Sequence, residues 1–274
     1  MSRELAERFE AIGVDAYRSE NERYLKRCRA GQIEVVELGR PVRQSRIFPS
    51  VSSQKNLEIV ECYNEFIQCE GEDDLFFWTF AAPAGKCHLA DLIKEYEAFS
   101  ELVSAEVRYL KRTFQVDVHL LAFHPRYDKD EELFDLHIHF MGRVPLEYRV
   151  AALGYLDEKF PRVDRKDKPV ESVVAAVTYM LNGVYPVDKV LGLPERPLKA
   201  LWKLSQSKKQ LVRKTGTFAL WKRLNHPEKR GTRQGARNQS SSTPRMPGDY
   251  FIAYIPPRSD EYGETLQLWE RIKP

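Results

Sequence analysis

The segment from Val116 to Gly142 constrains the fold of this chain more than any other. VDVHLLAFH (116–124) and LFDLHIHFMG (133–142) are short runs rich in β-branched and aromatic residues, separated by the polar stretch PRYDKDEE. Two such runs, this close together, predict an antiparallel pair of strands. In the second run, alternation puts Leu136, Ile138 and Phe140 on one face and His137 and His139 on the other. The strand rise sets those two imidazoles about 6.5–7 Å apart, close enough to converge on one metal ion if a third ligand arrives from a neighbour. Two histidines on a solvated face would give the same tripeptide. His124 ends the preceding strand, and antiparallel pairing predicts it beside the histidine strand as a third nitrogen, with open positions left for phosphate oxygens. His119 is an odd number of residues from His124, so it is expected on the opposite side, satisfied or exposed. His88 and His226 have no partner in the sequence.

The rest of the chain supplies the layers around that pair. LFFWTFA (75–81) is a continuous aromatic and apolar run, expected as a buried central strand. From 88 to 112, Leu89, Leu92, Ile93, Tyr96, Phe99, Leu102, Val103, Val107 and Leu110 recur at three- and four-residue steps and predict a helix with one broad apolar stripe. Helices are also expected over 3–30 (stopping near Gly31), 146–159, 169–182 after Pro169, and 198–213. IEVVEL (33–38) reads as a strand, and 57–69 is open between strand and helix. The fold class is α+β: a central antiparallel sheet carrying 75–81, 116–124 and 133–142, with the 88–112 and 169–182 helices against it. The domain expectation is an N-terminal extension (1–70), a core domain (71–225), a flexible basic segment (226–248) that has almost no apolar content, and a C-terminal docking segment (249–274) in which DYFIAYIP forms an edge strand.

Composition narrows the setting. With 42% hydrophobic and 30% charged residues the chain is an ordinary globular one. No stretch approaches the roughly 18 consecutive apolar residues of a membrane span, and the charged start MSRELAERFEAIG lacks the apolar centre of a signal peptide. A cytoplasmic protein without membrane partners is expected. Cys28, Cys62, Cys69 and Cys87 form no CxxC pair and are expected as free thiols. The net charge of +3 says little, but its distribution says more: basic residues run from Lys199 to Arg237 with Glu228 the only acid among them. Interleaved with Trp202, Phe218 and Trp221, that stretch fits either a solvated face or a phosphate-backbone contact. The candidates for the second role are Lys203, Lys208, Lys209, Arg213, Lys214, Lys222 and Arg223.

One more side chain stands out. In ESVVAAVTYMLNG the apolar stripe runs through Val173, Val177, Met180 and Leu181. Tyr179 is displaced from Val177 by roughly 200° at 100° per residue. It shares its face with Ser172, Ala175 and Asn182, where a phenol has room; a core tyrosine is the ordinary alternative.

The order of these features resembles the HUH endonucleases, specifically the replication initiator (Rep) proteins of rolling-circle plasmids and their transposase relatives. LFFWTFAAP is similar to their first motif, HLLAFHPRYD to the strand and loop that carry an acidic or histidine ligand, DLHIHFMGRVP to the His-hydrophobic-His strand, and AAVTYMLNG to the tyrosine motif. QLVRKTGTF (210–218) is similar to their basic tail segment. The resemblance covers roughly residues 74–218. His124 stands where the family usually has a glutamate, and one departure matters more: Asn182 stands where the family has a lysine three residues after the tyrosine. Cys28 with Cys62 and Cys69 resembles a remnant of the cysteine-rich region that precedes the first motif in some initiators. The resemblance implies an HUH fold built on a ferredoxin-like palm, with His124, His137 and His139 holding Mg²⁺ or Mn²⁺, although imidazoles also take Zn²⁺. It implies Tyr179 as nucleophile with Asn182 beside it, and Tyr185 as the fallback nucleophile. The implied activity is site-specific nicking and joining of single-stranded DNA through a phosphotyrosine, initiating rolling-circle replication of a plasmid or mobile element. The implied partners are single-stranded or origin DNA, a host helicase and a polymerase. Two other expectations stand beside it: a DNA-binding replication or repression factor of the same fold whose cleavage is weakened by Asn182, and a metal-binding RNA-processing protein in which the motif order is coincidental.

Overall fold

The structure is a computed structural model, and it describes residues 1–19, 21, 23–27, 33–37, 39–161, 170–207, 210–226 and 250–255. Strands run β1 Arg23–Arg27, β2 Ile33–Glu37, β3 Leu75–Ala81, β4 Asp117–Asp128, β5 Leu133–Arg143, β6 Val212–Lys214 and β7 Tyr250–Ile255. Helices run α1 Ser2–Ala11, α2 Pro49–Glu70, α3 Leu92–Phe114, α4 Arg149–Lys159, α5 Val173–Asn182, α6 Val187–Leu191, α7 Glu195–Gln206 and α8 Gly216–Asn225. The chain divides into two compact units, residues 1–14 with 44–228, and residues 15–43 with 229–274. Residues 44–70, read from the sequence as part of an extension, cluster with the sheet that carries the histidines.

The smaller unit is an antiparallel sheet in the order β2-β1-β7. Its first strand corrects the expected 3–30 helix. The helix ends at Ala11, and Gly13, at φ +78°, turns the chain out of it. Beyond that point, backbone pairing to β2 and β7 takes the place of helical hydrogen bonds over 23–27. The expected segment 226–248 lies almost wholly outside the described residues.

The larger unit is built on a four-stranded antiparallel sheet, β3-β5-β4-β6. The fold is therefore α+β, an antiparallel sheet flanked by helices. The β4–β5 hairpin extends beyond its expected ends: Pro125–Asp128 pair with Leu133–Leu136, and only residues 129–132 turn. Tyr127 against Phe134 continues the strand pattern (ring centroids 5.3 Å). In the turn, the Asp128 carboxylate accepts from the N–H groups of Asp130 and Glu131.

β3 is buried as expected but is an edge strand, not a central one. Its free edge is covered by connecting chain: Ala81 N–H donates to the Pro161 carbonyl, and Val170 N–H to the Leu75 carbonyl. Helices on both sheet faces give it the apolar composition of an interior strand. On one face Tyr96 and Phe99 of α3 pack on Phe123, and Phe160 beyond α4 packs on Phe80. The opposite face carries the histidines and is covered by α2, α5 and α8.

The ambiguous stretch 57–69 lies inside helix α2, which opens with Pro49 in its first turn. Ile59, Tyr63, Phe66 and Ile67 are buried, at helical spacing. The expected 198–213 helix ends at Gln206. Residues 212–214 instead pair with Leu120–Ala122, filling the open edge of β4. The aromatic residues of the basic run also point inward. Trp202 packs on Phe9 and Phe48, and Phe218 on Tyr63 (ring centroids 4.8, 5.9 and 4.9 Å). Among the described residues no helix is long and apolar enough to cross a membrane.

Candidate metal centre

Antiparallel register decides the site. His124 on β4 lies directly opposite His137 on β5, and His139 is the next residue on the same face, opposite Ala122 and Thr79. One ring nitrogen from each histidine lies within 4.8 Å of the other two, so three imidazoles converge where the sequence placed them.

The outer nitrogens set which lone pairs face the centre. His124 Nε2–H donates to the Met180 carbonyl of α5 at 2.7 Å, which directs Nδ1 inward. His139 Nδ1 meets the Thr79 hydroxyl of β3 at 2.8 Å, which directs Nε2 inward, 2.9 Å from His124 Nδ1. The hydroxyl of Thr79 can donate or accept, so His139 can either hydrogen-bond to His124 or present a free lone pair beside it. His137 Nδ1 is buried and has no hydrogen-bond partner among the described residues. An orphaned imidazole nitrogen next to two inward-facing ones is a donor set that fits a divalent cation.

Electrostatics agree with that fit. Burial, reinforced by the neighbouring imidazoles, pushes His124 down to about 3 and His139 to about 2, and burial also lowers His137. All three are held neutral near pH 7, the form that ligates metal.

Helix α5 brings the fourth feature. Its Ser172 cap accepts from Ala175 N–H, and Val173, Val177, Met180 and Leu181 are buried as the stripe predicted. Tyr179 comes out on the other side, 65% exposed. Its ring stands edge-on to His139 and Phe77, at centroid distances of 5.7 and 6.1 Å. Phe77 is itself stacked on His139. Gly183, just past the helix, leaves no room for a side chain: a Cβ there would lie 2.2 Å from His124 Cε1. Asn182 accepts a hydrogen bond from Asn56 Nδ2 of α2 at 3.1 Å. His124, His137, Tyr179 and Asn182 share the wall of one cavity of about 1010 Å³, with Arg126, Lys129 and Lys189 also on it.

Other expected residues fall elsewhere. The β4 register shifts between Val118 and Leu120, so His119 is the extra residue of a bulge. It therefore turns toward α2, on the face that carries His124 and not the opposite one, and is satisfied there by the Tyr63 hydroxyl and the Asp117 carboxylate. His88 is exposed, and His226 pairs with Glu65. The Tyr185 ring is buried on the wall of the same cavity, and its hydroxyl has no partner among the described residues.

Of the basic candidates, Lys203, Lys214 and Arg223 are exposed. Lys222 is buried against Glu58 at 2.7 Å. Arg213 is committed to Ser100 and Ser104 and lies over the Phe123 ring, on the sheet face away from the histidines. Lys208, Lys209 and Cys28 are outside the described residues. Cys62 and Cys87 are buried free thiols, and Cys69 is an exposed one.

Sequence reasoning missed Asn56, the Met180 carbonyl and Gly183. A backbone carbonyl and an asparagine 126 residues from its partner leave no local pattern to read. Comparison with protein-family models, with curated proteins and with solved structures finds no match to this chain.

Proposed function

We propose that this protein is a metal-dependent enzyme of the HUH type that nicks and rejoins single-stranded DNA through Tyr179. The observation that carries the reading is the exposed phenol of Tyr179 beside three convergent, neutral imidazoles. A structural tyrosine would turn its ring into the stripe of α5, whereas this one faces the shared cavity.

In this reading His124, His137 and His139 hold Mg²⁺ or Mn²⁺, which when bound supplies Lewis-acid polarisation of the scissile phosphate. Met180 and Thr79 hold the imidazoles in orientation. Tyr179 Oη attacks phosphorus: the O–P bond forms as the P–O3′ bond breaks, the phenolic proton leaves to solvent, and the departing 3′-oxygen takes a proton from solvent. The product is a 5′-phosphotyrosine and a free 3′-hydroxyl. Because the linkage keeps the phosphodiester's energy, a 3′-hydroxyl can reverse it and rejoin strands. Rolling-circle initiation of a plasmid or mobile element, with a host helicase and polymerase as partners, is the setting that uses this product.

Incubation with Mn²⁺ and a pool of fluorescent single-stranded oligonucleotides of random sequence should yield a protein–DNA adduct that survives denaturing electrophoresis. Tyr179→Phe should abolish it. No adduct from the wild type, or an adduct that persists in Tyr179→Phe, refutes the reading. One observation favours a second reading: Asn182 is neutral where the resemblance places a lysine. A DNA-binding replication or repression factor of the same fold would bind the pool in a salt-dependent manner and form no adduct.

A further inference from the structure

We infer that Arg46 and Asn56 are positioning residues that lock the Asn182 carboxamide with its NH₂ group turned toward the cavity, so that a hydrogen-bond donor stands ready for the scissile phosphate. The phosphate half of this inference rests on the nicking reading above; the lock itself does not.

Which groups can donate decides the orientation of each amide. An asparagine oxygen and nitrogen are nearly indistinguishable by shape, so their orientation must be settled by their partners. Arg46 settles it here. A guanidinium carries donors only, so the Asn56 atom that meets Arg46 Nη1 is the acceptor Oδ1. Asn56 Nδ2 is then fixed as the donor, and it faces Ser52 Oγ at 3.3 Å and Asn182 at 3.1 Å. A donor must meet an acceptor, so Asn182 presents Oδ1 to Asn56. Its NH₂ group is left on the outer side, without a hydrogen-bond acceptor among the described residues, on a side chain that lines the cavity with His124, His137 and Tyr179. The chain of bonds starts at a formal charge, so each amide polarises the next and sharpens the outward N–H as a donor. A cation in the turn before α2 thus acts at a distance through two neutral side chains. Arg46 precedes α2, Asn56 lies within it, and Asn182 ends α5.

The near-isosteric change Asn56→Asp tests the lock. A carboxylate still accepts from Arg46 but cannot donate, so Asn182 must turn its NH₂ inward and its oxygen toward the cavity. Adduct formation with the oligonucleotide pool should then fall by about a hundred- to a thousandfold, the scale for losing one well-placed donor at a developing charge, while the thermal midpoint holds or rises. Asn56→Asp combined with Asn182→Lys should recover the activity, because an ammonium donates both to Asp and to phosphate; a merely structural role for Asn56 predicts no recovery. Arg46→Lys should keep the polarity and the activity, and Arg46→Leu should lose both.

A second readout needs no turnover. In the ¹⁵N-labelled wild type, the Asn56 side-chain amide protons should exchange slowly with solvent and those of Asn182 fast, and in Asn56→Asp the Asn182 amide protons should become slow. A protected Asn182 amide in the wild type, or undiminished adduct formation by Asn56→Asp, overturns the lock. Absence of any adduct from the wild type overturns the nicking reading and the phosphate half, while the exchange rates still decide the lock.

Discussion

Thr79 illustrates how much of this site is set by single atoms outside the ligand set. Its hydroxyl is the partner that turns His139 Nε2 toward His124 and His137. Replacement by valine keeps the volume and the β-propensity but removes that partner. Thr79→Val should weaken Mn²⁺ binding by about 10–100-fold, the usual effect of losing an outer hydrogen bond to a ligating histidine. Titration calorimetry would measure it, and an unchanged affinity would mean that packing by Phe77 alone orients the ring. The two inward histidines were legible in the sequence because strand alternation is a local rule. The role of Thr79 was not, since it is set by the register of a strand 60 residues away.

At the scale of elements, the junction of α5 with its following turn decides the geometry. Met180 supplies a carbonyl to His124, and Gly183 leaves the space in which that imidazole sits. Gly183→Ala would place a methyl 2.2 Å from the ring, so the ring or the helix end must shift. The expected result is a loss of stability of about 1–3 kcal/mol together with weakened metal binding, measured by denaturant melts with and without Mn²⁺. Equal melts for alanine and wild type would show that the helix end adapts freely. The amphipathic pattern of α5 was readable in full, down to the outward tyrosine. The same spacing overstates the helices over 198–213 and 3–30, which end at Gln206 and Ala11. In both, the expected helix runs on into a strand that pairs with a segment far away in sequence: β4 for one, and β7, on the other side of β1 from the nearby β2, for the other. Local periodicity cannot report a ladder whose second half it does not contain.

At the scale of the whole larger unit, a buried polar node ties sheet to helices. His119, the bulged residue of β4, joins Tyr63 of α2 to Asp117, and Asp117 in turn accepts from Thr217 of α8. Burial by itself would raise the Asp117 carboxyl, but the bonds from His119 and Thr217 win and hold it at about 2, against 3.8 unperturbed. The folded state therefore binds this proton less readily than the unfolded chain. The stabilisation is present above about 3.8 and is lost as pH falls toward 2. With allowance for solvent screening it is worth about 1–2 kcal/mol at neutral pH. Asp117→Asn should lower neutral-pH stability by that amount and flatten the acid limb of the stability curve, read from urea melts at several pH values. A parallel acid limb in the variant would assign the effect to other carboxylates.

The sequence by itself determined the strand pair, the face shared by His137 and His139, the outward position of Tyr179 and the α+β class, because each follows from a period of two or 3.6 residues along a continuous stretch. Tertiary structure alone decided the rest. It made β3 an edge strand, returned His119 to the histidine side through a bulge, drew Trp202, Phe218, Arg213 and Lys222 away from solvent, and joined Arg46 to Asn182 through Asn56. The physical reason is common to all four: register, edge covering and hydrogen-bond polarity are settled between segments distant in sequence, where no local pattern records them.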